Sequence, residues 1–247
     1  MSRTTVTLVA AVLCLPVIEA QAETPAAAAV GLQPFRATYE VEYRGIGAGE
    51  LVFTLREVDA TTKRYEYYSK PRPSLLARIV VSREALESSV FALVEGSVQP
   101  RTYRLEDGRS ATDDDARLDF DWSRGVVTGV AEDKSLEFEL VPGMQDRMSI
   151  QIEVMADLKA GREPGTIAMI DGDRVKHYTY TRDGSDRIAT PLGTFDTAIY
   201  SSTRPGSNRI ARFWYAAELG YVPVRGEQIR AGKLETVMRL TQFGRID

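Results

Sequence analysis

The chain has 247 residues, 43% of them hydrophobic and 27% charged, which excludes wholesale disorder and allows a large core. With 31 Lys and Arg against 35 Asp and Glu, its net charge of −4 argues against a nucleic-acid partner. One His and one Cys leave little material for zinc sites or nucleophile triads.

Arg3 precedes an apolar run, Val6 to Ile18, that is broken only by Thr7, Cys14 and Pro16 and ends at Ala20-Gln21-Ala22. A positive start, a short apolar core and a small-x-small site predict a secretory signal peptide over residues 1–22 and delivery to the periplasm. The core falls far short of the ~20 apolar residues that span a bilayer, so no transmembrane anchor is expected. Bulky Leu13 ahead of Cys14 argues against lipid attachment at that cysteine. Cleavage removes Cys14, so the mature chain is expected to be stabilised by core and hydrogen bonds without a disulfide. Residues 23–33 read as a flexible lead-in, and 34–247 as a single β-rich domain.

Period-two alternation then dominates. Phe35, Ala37, Tyr39, Val41 and Tyr43 alternate with polar residues, and Leu51, Phe53 and Leu55 follow the glycines 45, 47 and 49, which predicts a hairpin with a glycine-rich turn. Tyr65 to Ser69 reads as a strand, whereas the apolar run Leu75 to Val81 has no clear period. Leu118, Phe120 and Trp122, and then Leu136, Phe138 and Leu140, alternate in the same way. Met144, Met148, Ile152, Met155 and Leu158 recur at spacings of three and four, which predicts one helix over Met144 to Lys159. Asp146, Ser149, Glu153 and Asp157 gather on its opposite face. Beyond it, Asp171-Gly172, Asp183-Gly184, Pro205-Gly206 and Ala231-Gly232 punctuate short apolar-polar runs, the pattern of sequential hairpins. The expected fold is mainly β: an antiparallel meander curled into a β-roll or open barrel, packed on one amphipathic helix.

Chemistry-bearing patterns are sparse. His177 lies inside a predicted strand, with no G-x-S-x-G or S-x-x-K motif to supply a nucleophile. Asp113, Asp114 and Asp115 lack the glycine and the spacing of a calcium loop, and Gly45-Ile46-Gly47-Ala48-Gly49 leads into a strand where a phosphate loop needs a helix. No catalytic residue, metal ligand or cofactor is therefore assigned. The candidate ligand contacts are Met148, Ile152 and Met155 on the helix, since methionine adapts to irregular apolar partners. Arg212 and Trp214 join them, because alternation places them on one strand face and Phe213 with Tyr215 on the other.

Several of these segments carry a resemblance. Phe35-x-Ala37-x-Tyr39-x-Val41-x-Tyr43 with Gly49, Asp146-Arg147-Met148-Ser149, Thr190-Pro191-Leu192-Gly193-Thr194-Phe195, and the stretch from Trp214-Tyr215-Ala216 to Pro223-Val224 resemble the exported bacterial family called domain of unknown function 3108. The resemblance covers nearly the whole mature chain. It implies a periplasmic β-rich fold similar to spiral β-rolls and to lipoprotein carriers with curved sheets, and it assigns no activity and no catalytic residue. The expectation is a soluble, non-enzymatic envelope protein that binds a lipid-like ligand or an envelope protein. An envelope-directed hydrolase using carboxylates and a structural scaffold are the alternatives.

Overall fold

In the computed structural model, which describes residues 31–109 and 115–246, the alternating segments build one antiparallel sheet of fourteen strands. The first meander is β1 (Phe35–Tyr43), β2 (Ile46–Asp59), β3 (Arg64–Pro73), β4 (Leu86–Val94), β5 (Ser97–Glu106), β6 (Ala116–Asp121), β7 (Val126–Ala131) and β8 (Lys134–Glu139). Helix α1 (Ser149–Lys159) follows. The second meander is β9 (Thr166–Asp171), β10 (Arg174–Thr190), β11 (Gly193–Thr203), β12 (Arg209–Ala216), β13 (Val222–Arg230) and β14 (Lys233–Arg245). The two join where β1 pairs with β14, Phe35 opposite Arg245 and Tyr43 opposite Thr236. That seam leaves β8 and β9, the strands flanking α1, as the two sheet edges.

The sheet curls until those edges approach. Lys134 Nζ at the start of β8 donates to Asp173 in the β9–β10 turn at 2.6 Å. Between them Gln145 forms a parallel bridge with Met169, donating its N–H to the Ala168 carbonyl and accepting from Ile170. This is an open barrel of the expected kind, and α1 lies inside it against β4 and β5. Edges partly covered in this way are poor templates for further strand pairing.

Four local expectations are corrected. The helix begins at Ser149, five residues later than its periodicity suggests, because the Gln145 bridge holds the preceding segment extended. Its polar side is also enclosed: Asp146, Ser149, Glu153 and Asp157 are all buried, since β4 and β5 pack over that side of the helix, Ser89 bonding Asp146 and Val98 bonding Glu153. Asp183-Gly184 does not end a strand. Here β10 runs on to Thr190, and the dipeptide is a bulge in its pairing with β11, with Gly184 at φ 133°. Similarly, only Arg44-Gly45 forms the first turn. Gly47 and Gly49 lie within β2, and a Cβ on Gly49 would sit 2.3 Å from the Arg72 carbonyl oxygen on β3. Glycine there permits a close strand approach at a bulge.

Because every strand reverses, alternate turns share an end of the barrel. One end carries Arg44-Gly45, the β3–β4 loop over 74–85, and the turns β7–β8, β9–β10, β11–β12 and β13–β14. Contacts tie this end together: Arg44 N–H to the Glu235 carbonyl, Ala231 N–H to the Asn208 carbonyl, and Ser82 Oγ to the Gly108 carbonyl.

A candidate amphiphile-binding cleft

The helix is anchored by the segment Asp146-Arg147-Met148-Ser149. Asp146 accepts from the N–H groups of Met148 and Ser149, both at 2.8 Å, and from Ser89 Oγ on β4 at 2.6 Å. Ser149 Oγ in turn accepts the Asp146 N–H at 2.9 Å. Such reciprocal capping satisfies the donors that a helix start leaves free. Burial pushes the Asp146 carboxyl up to about 6, against the pull of those hydrogen bonds. Seven residues on, burial pushes Glu153 up to about 7, although it accepts the Val98 N–H of β5 at 2.6 Å and Arg162 opposes the shift.

With Asp146 fixed, Arg147 projects out of the core. Its Nε lies 3.1 Å from Glu87, which also accepts from Tyr103 Oη at 2.7 Å. Arg147 separates two hollows. The smaller, about 310 Å³, is bounded by Tyr103, Leu118, Ala131 and Ile170. The larger, about 520 Å³, opens between α1 and the inner faces of β9–β14. Both volumes fall within the range of small-molecule sites, and the larger is the roomier candidate.

The large cleft is built by the period-two rule. On β10 the inward positions are Lys176, Tyr178 and Tyr180; on β12 they are Arg209, Ala211 and Phe213. Phe53, Ile150, Met169, Phe213 and Met238 form apolar wall, and the missing side chain of Gly226 on β13 leaves room for Phe213 and Met238. Four cations, Arg147, Lys176, Arg204 and Arg209, face one carboxylate, Asp171. Lys176 Nζ and Tyr178 Oη donate to Asp171 at 2.7 and 3.0 Å. Burial pushes the Asp171 carboxyl up, but those two bonds and the charge of Arg147 outweigh it and hold the group below its ordinary value. Arg204 and Arg209, beside the β11–β12 turn, have no carboxylate within 4.0 Å among the described residues. The arrangement is an apolar trough with uncommitted guanidinium groups at its mouth, suited to an apolar chain with an anionic head.

None of the five residues singled out from sequence lies on this wall. Met148, Ile152 and Met155 are core side chains, and Met155 borders only a crevice of about 20 Å³. Arg212 and Trp214 share a strand face as the alternation predicts, but it is the face turned away from the cleft. There Arg212 bonds Asp183 at 3.1 Å, and the Arg225 guanidinium sits 5.1 Å above the Trp214 ring. His177 is exposed on the face of β10 opposite Lys176 and Tyr178. Asp113 and Asp114 lie outside the described residues, and Asp115 accepts the Asp107 N–H at 2.9 Å. Among the described residues no cluster of three or more His, Cys, Asp or Glu side chains is placed to hold a metal. The signal that marks the cleft is a basic residue at the turn-proximal end of an inward-facing alternation, Arg209 before Ala211 and Phe213, and Lys176 before Tyr178 and Tyr180.

The curled sheet is similar to a β-barrel-like protein of domain of unknown function DUF1849 from Brucella abortus. The identity is 12%, the TM-score 0.56, and the alignment covers 87% of this chain and 99% of that one. Weaker likenesses include a MucA/MucB complex of Pseudomonas aeruginosa, at 13% identity, TM-score 0.38, 89% of this chain and 54% of that one. Another is the hypothetical lipoprotein YmcC of Escherichia coli, at 10% identity, TM-score 0.31 and 85% of both chains. No curated protein matches. No helix among the described residues is long and apolar enough to cross a membrane. The family model for DUF3108, described as a protein of unknown function, matches residues 38–239, and the chain belongs to that family.

Proposed function

We propose that this protein is an exported, non-enzymatic envelope protein that binds an anionic amphiphile in the 520 Å³ cleft. Export follows from the signal-like segment ending at Ala22, with the mature chain acting in the periplasm as one β-rich domain from residue 34. The observation that carries the reading is the pairing of an apolar wall with two guanidinium groups at the mouth that have no carboxylate within 4.0 Å among the described residues. The ligand's chain would lie against Phe53, Ile150, Phe213 and Met238, and its phosphate or carboxylate would meet Arg204 and Arg209. Asp146 and Glu153, the acids with carboxyls raised to about 6 and about 7, border neither large hollow and are engaged in helix packing. That favours binding over acid–base chemistry.

Displacement of a fluorescent fatty acid tests the proposal. Lysophosphatidylglycerol is expected to compete better than lysophosphatidylcholine, and inorganic phosphate hardly at all. Arg204→Gln with Arg209→Gln should weaken the anionic competitor about tenfold or more, the scale of one charge-assisted hydrogen bond, and erase the headgroup preference. Failure of the unmodified protein to take up the dye would remove the proposal.

A further inference from the structure

Apolar exposure is concentrated at the end of the barrel where the cleft opens. Among the described residues, every exposed large apolar side chain except Val58, Val94, Val141 and Leu192 lies toward that end. The β3–β4 loop carries most of them: Leu75 is 77% exposed, Leu76 72%, Ile79 82% and Val80 67%. Its backbone is nevertheless fastened. Ser74 donates its N–H to the Ala48 carbonyl at 2.9 Å and its hydroxyl to the Gly47 carbonyl at 3.1 Å. Arg109 Nη2 donates to the Val80 carbonyl at 2.6 Å, and Ser82 holds Gly108. A single turn of 3₁₀ helix over Ala77–Ile79, with no buried residue, presents the aliphatic groups outward. Folding buries only a minor part of these side chains where they stand.

We propose that this loop docks on the surface of an anionic bilayer, inserting Leu75, Leu76, Ile79 and Val80 among the acyl chains. The chemistry favours lipid over protein. The projecting groups are aliphatic and convex, whereas protein hot spots favour Trp, Tyr and Arg in packed pockets and under-represent Leu and Val. Hydrocarbon accepts such a projection without shape complementarity. Arg78 and Arg83 border the aliphatic groups and have no carboxylate within 4.0 Å among the described residues. Arginine at that depth can keep its stem in the apolar layer and its guanidinium among the phosphates. Docking would turn the mouth with Arg204 and Arg209 toward the membrane. That orientation gains its meaning from the carrier reading, but the docking itself does not depend on it.

Co-sedimentation with vesicles tests the inference on the full mature chain. Vesicles of phosphatidylethanolamine and phosphatidylglycerol in equal parts are expected to pellet the protein, and phosphatidylcholine vesicles much less of it. Leu76→Ser with Ile79→Ser should weaken pelleting by about tenfold or more, given the apolar burial lost. Arg78→Gln with Arg83→Gln should weaken it several-fold and remove the preference for the anionic lipid. Both double variants change exposed side chains, so circular dichroism and dye uptake by the cleft, measured without vesicles, should stay as in the unmodified protein. Docking is overturned if the unmodified protein stays in the supernatant at low salt, or if the Leu76/Ile79 variant pellets equally. It is also overturned if sedimentation velocity shows a dimer that this variant loses, since the occupant is then a second copy. Dye uptake lost with pelleting intact would sink the carrier reading and leave the docking surface standing.

Discussion

Glu153 occupies a position that a helical wheel assigns to the outside of α1, yet it is enclosed, accepting the Val98 N–H of the sheet around it. Its carboxyl, at about 7 in the fold and 4.5 ordinarily, keeps a proton that the unfolded chain gives up. Stability attributable to Glu153 is therefore greatest below pH 4.5, falls as pH rises toward 7, and is flat beyond. Glu153→Gln preserves an acceptor for Val98 and removes the titration. The variant is expected to gain about 1–3 kcal/mol over the parent near pH 8 and little near pH 5, read by urea unfolding at the two values. Equal pH slopes in both proteins would contradict this account of the buried acid. Asp146, at about 6, titrates in a neighbouring window and should retain its own slope in the variant.

At the level of elements, β3 crowds β2 at Gly49, whose φ of 114° and 2.3 Å Cβ approach to the Arg72 oxygen leave no room for a side chain. Gly49→Ala is expected to cost about 2–4 kcal/mol, combining backbone strain with overpacking. Gly45→Ala, in an open turn at φ 80°, should cost about 1 kcal/mol. Denaturant midpoints measure both, and equal costs would show that the strand approach is not the constraint. The alternation of Phe35 to Tyr43 and the Asp171-Gly172 turn were legible in the sequence because period and turn chemistry are local. The seam between β1 and β14 was not, because it pairs residues about two hundred positions apart and leaves no local mark. β5 was also hidden, its alternation interrupted by Pro100, which the strand accommodates at a register shift opposite Phe91. The same limit decided the site. Alternation separated Arg212 and Trp214 from Phe213 and Tyr215, but only the direction of curl decides which face lines the cleft, and it is the face with Phe213.

For the whole molecule, the curled sheet surrounds the helix, the helix start fixes Arg147, and the second meander supplies both the apolar wall and the cationic mouth of the cleft. The aliphatic loop stands at the same end as that mouth, so the proposed cargo site and the proposed docking surface share one direction. A scaffold would need neither a cleft of about 520 Å³ nor two arginines at its rim that have no carboxylate within 4.0 Å among the described residues. The most direct test of the account is mass spectrometry of the mature protein purified gently from its native compartment, under native and then denaturing conditions. A stoichiometric adduct with the mass of an anionic amphiphile is expected, released on denaturation and lost from the Arg204→Gln/Arg209→Gln variant. A bare polypeptide mass under native conditions, together with no uptake of added lysophosphatidylglycerol, would contradict it.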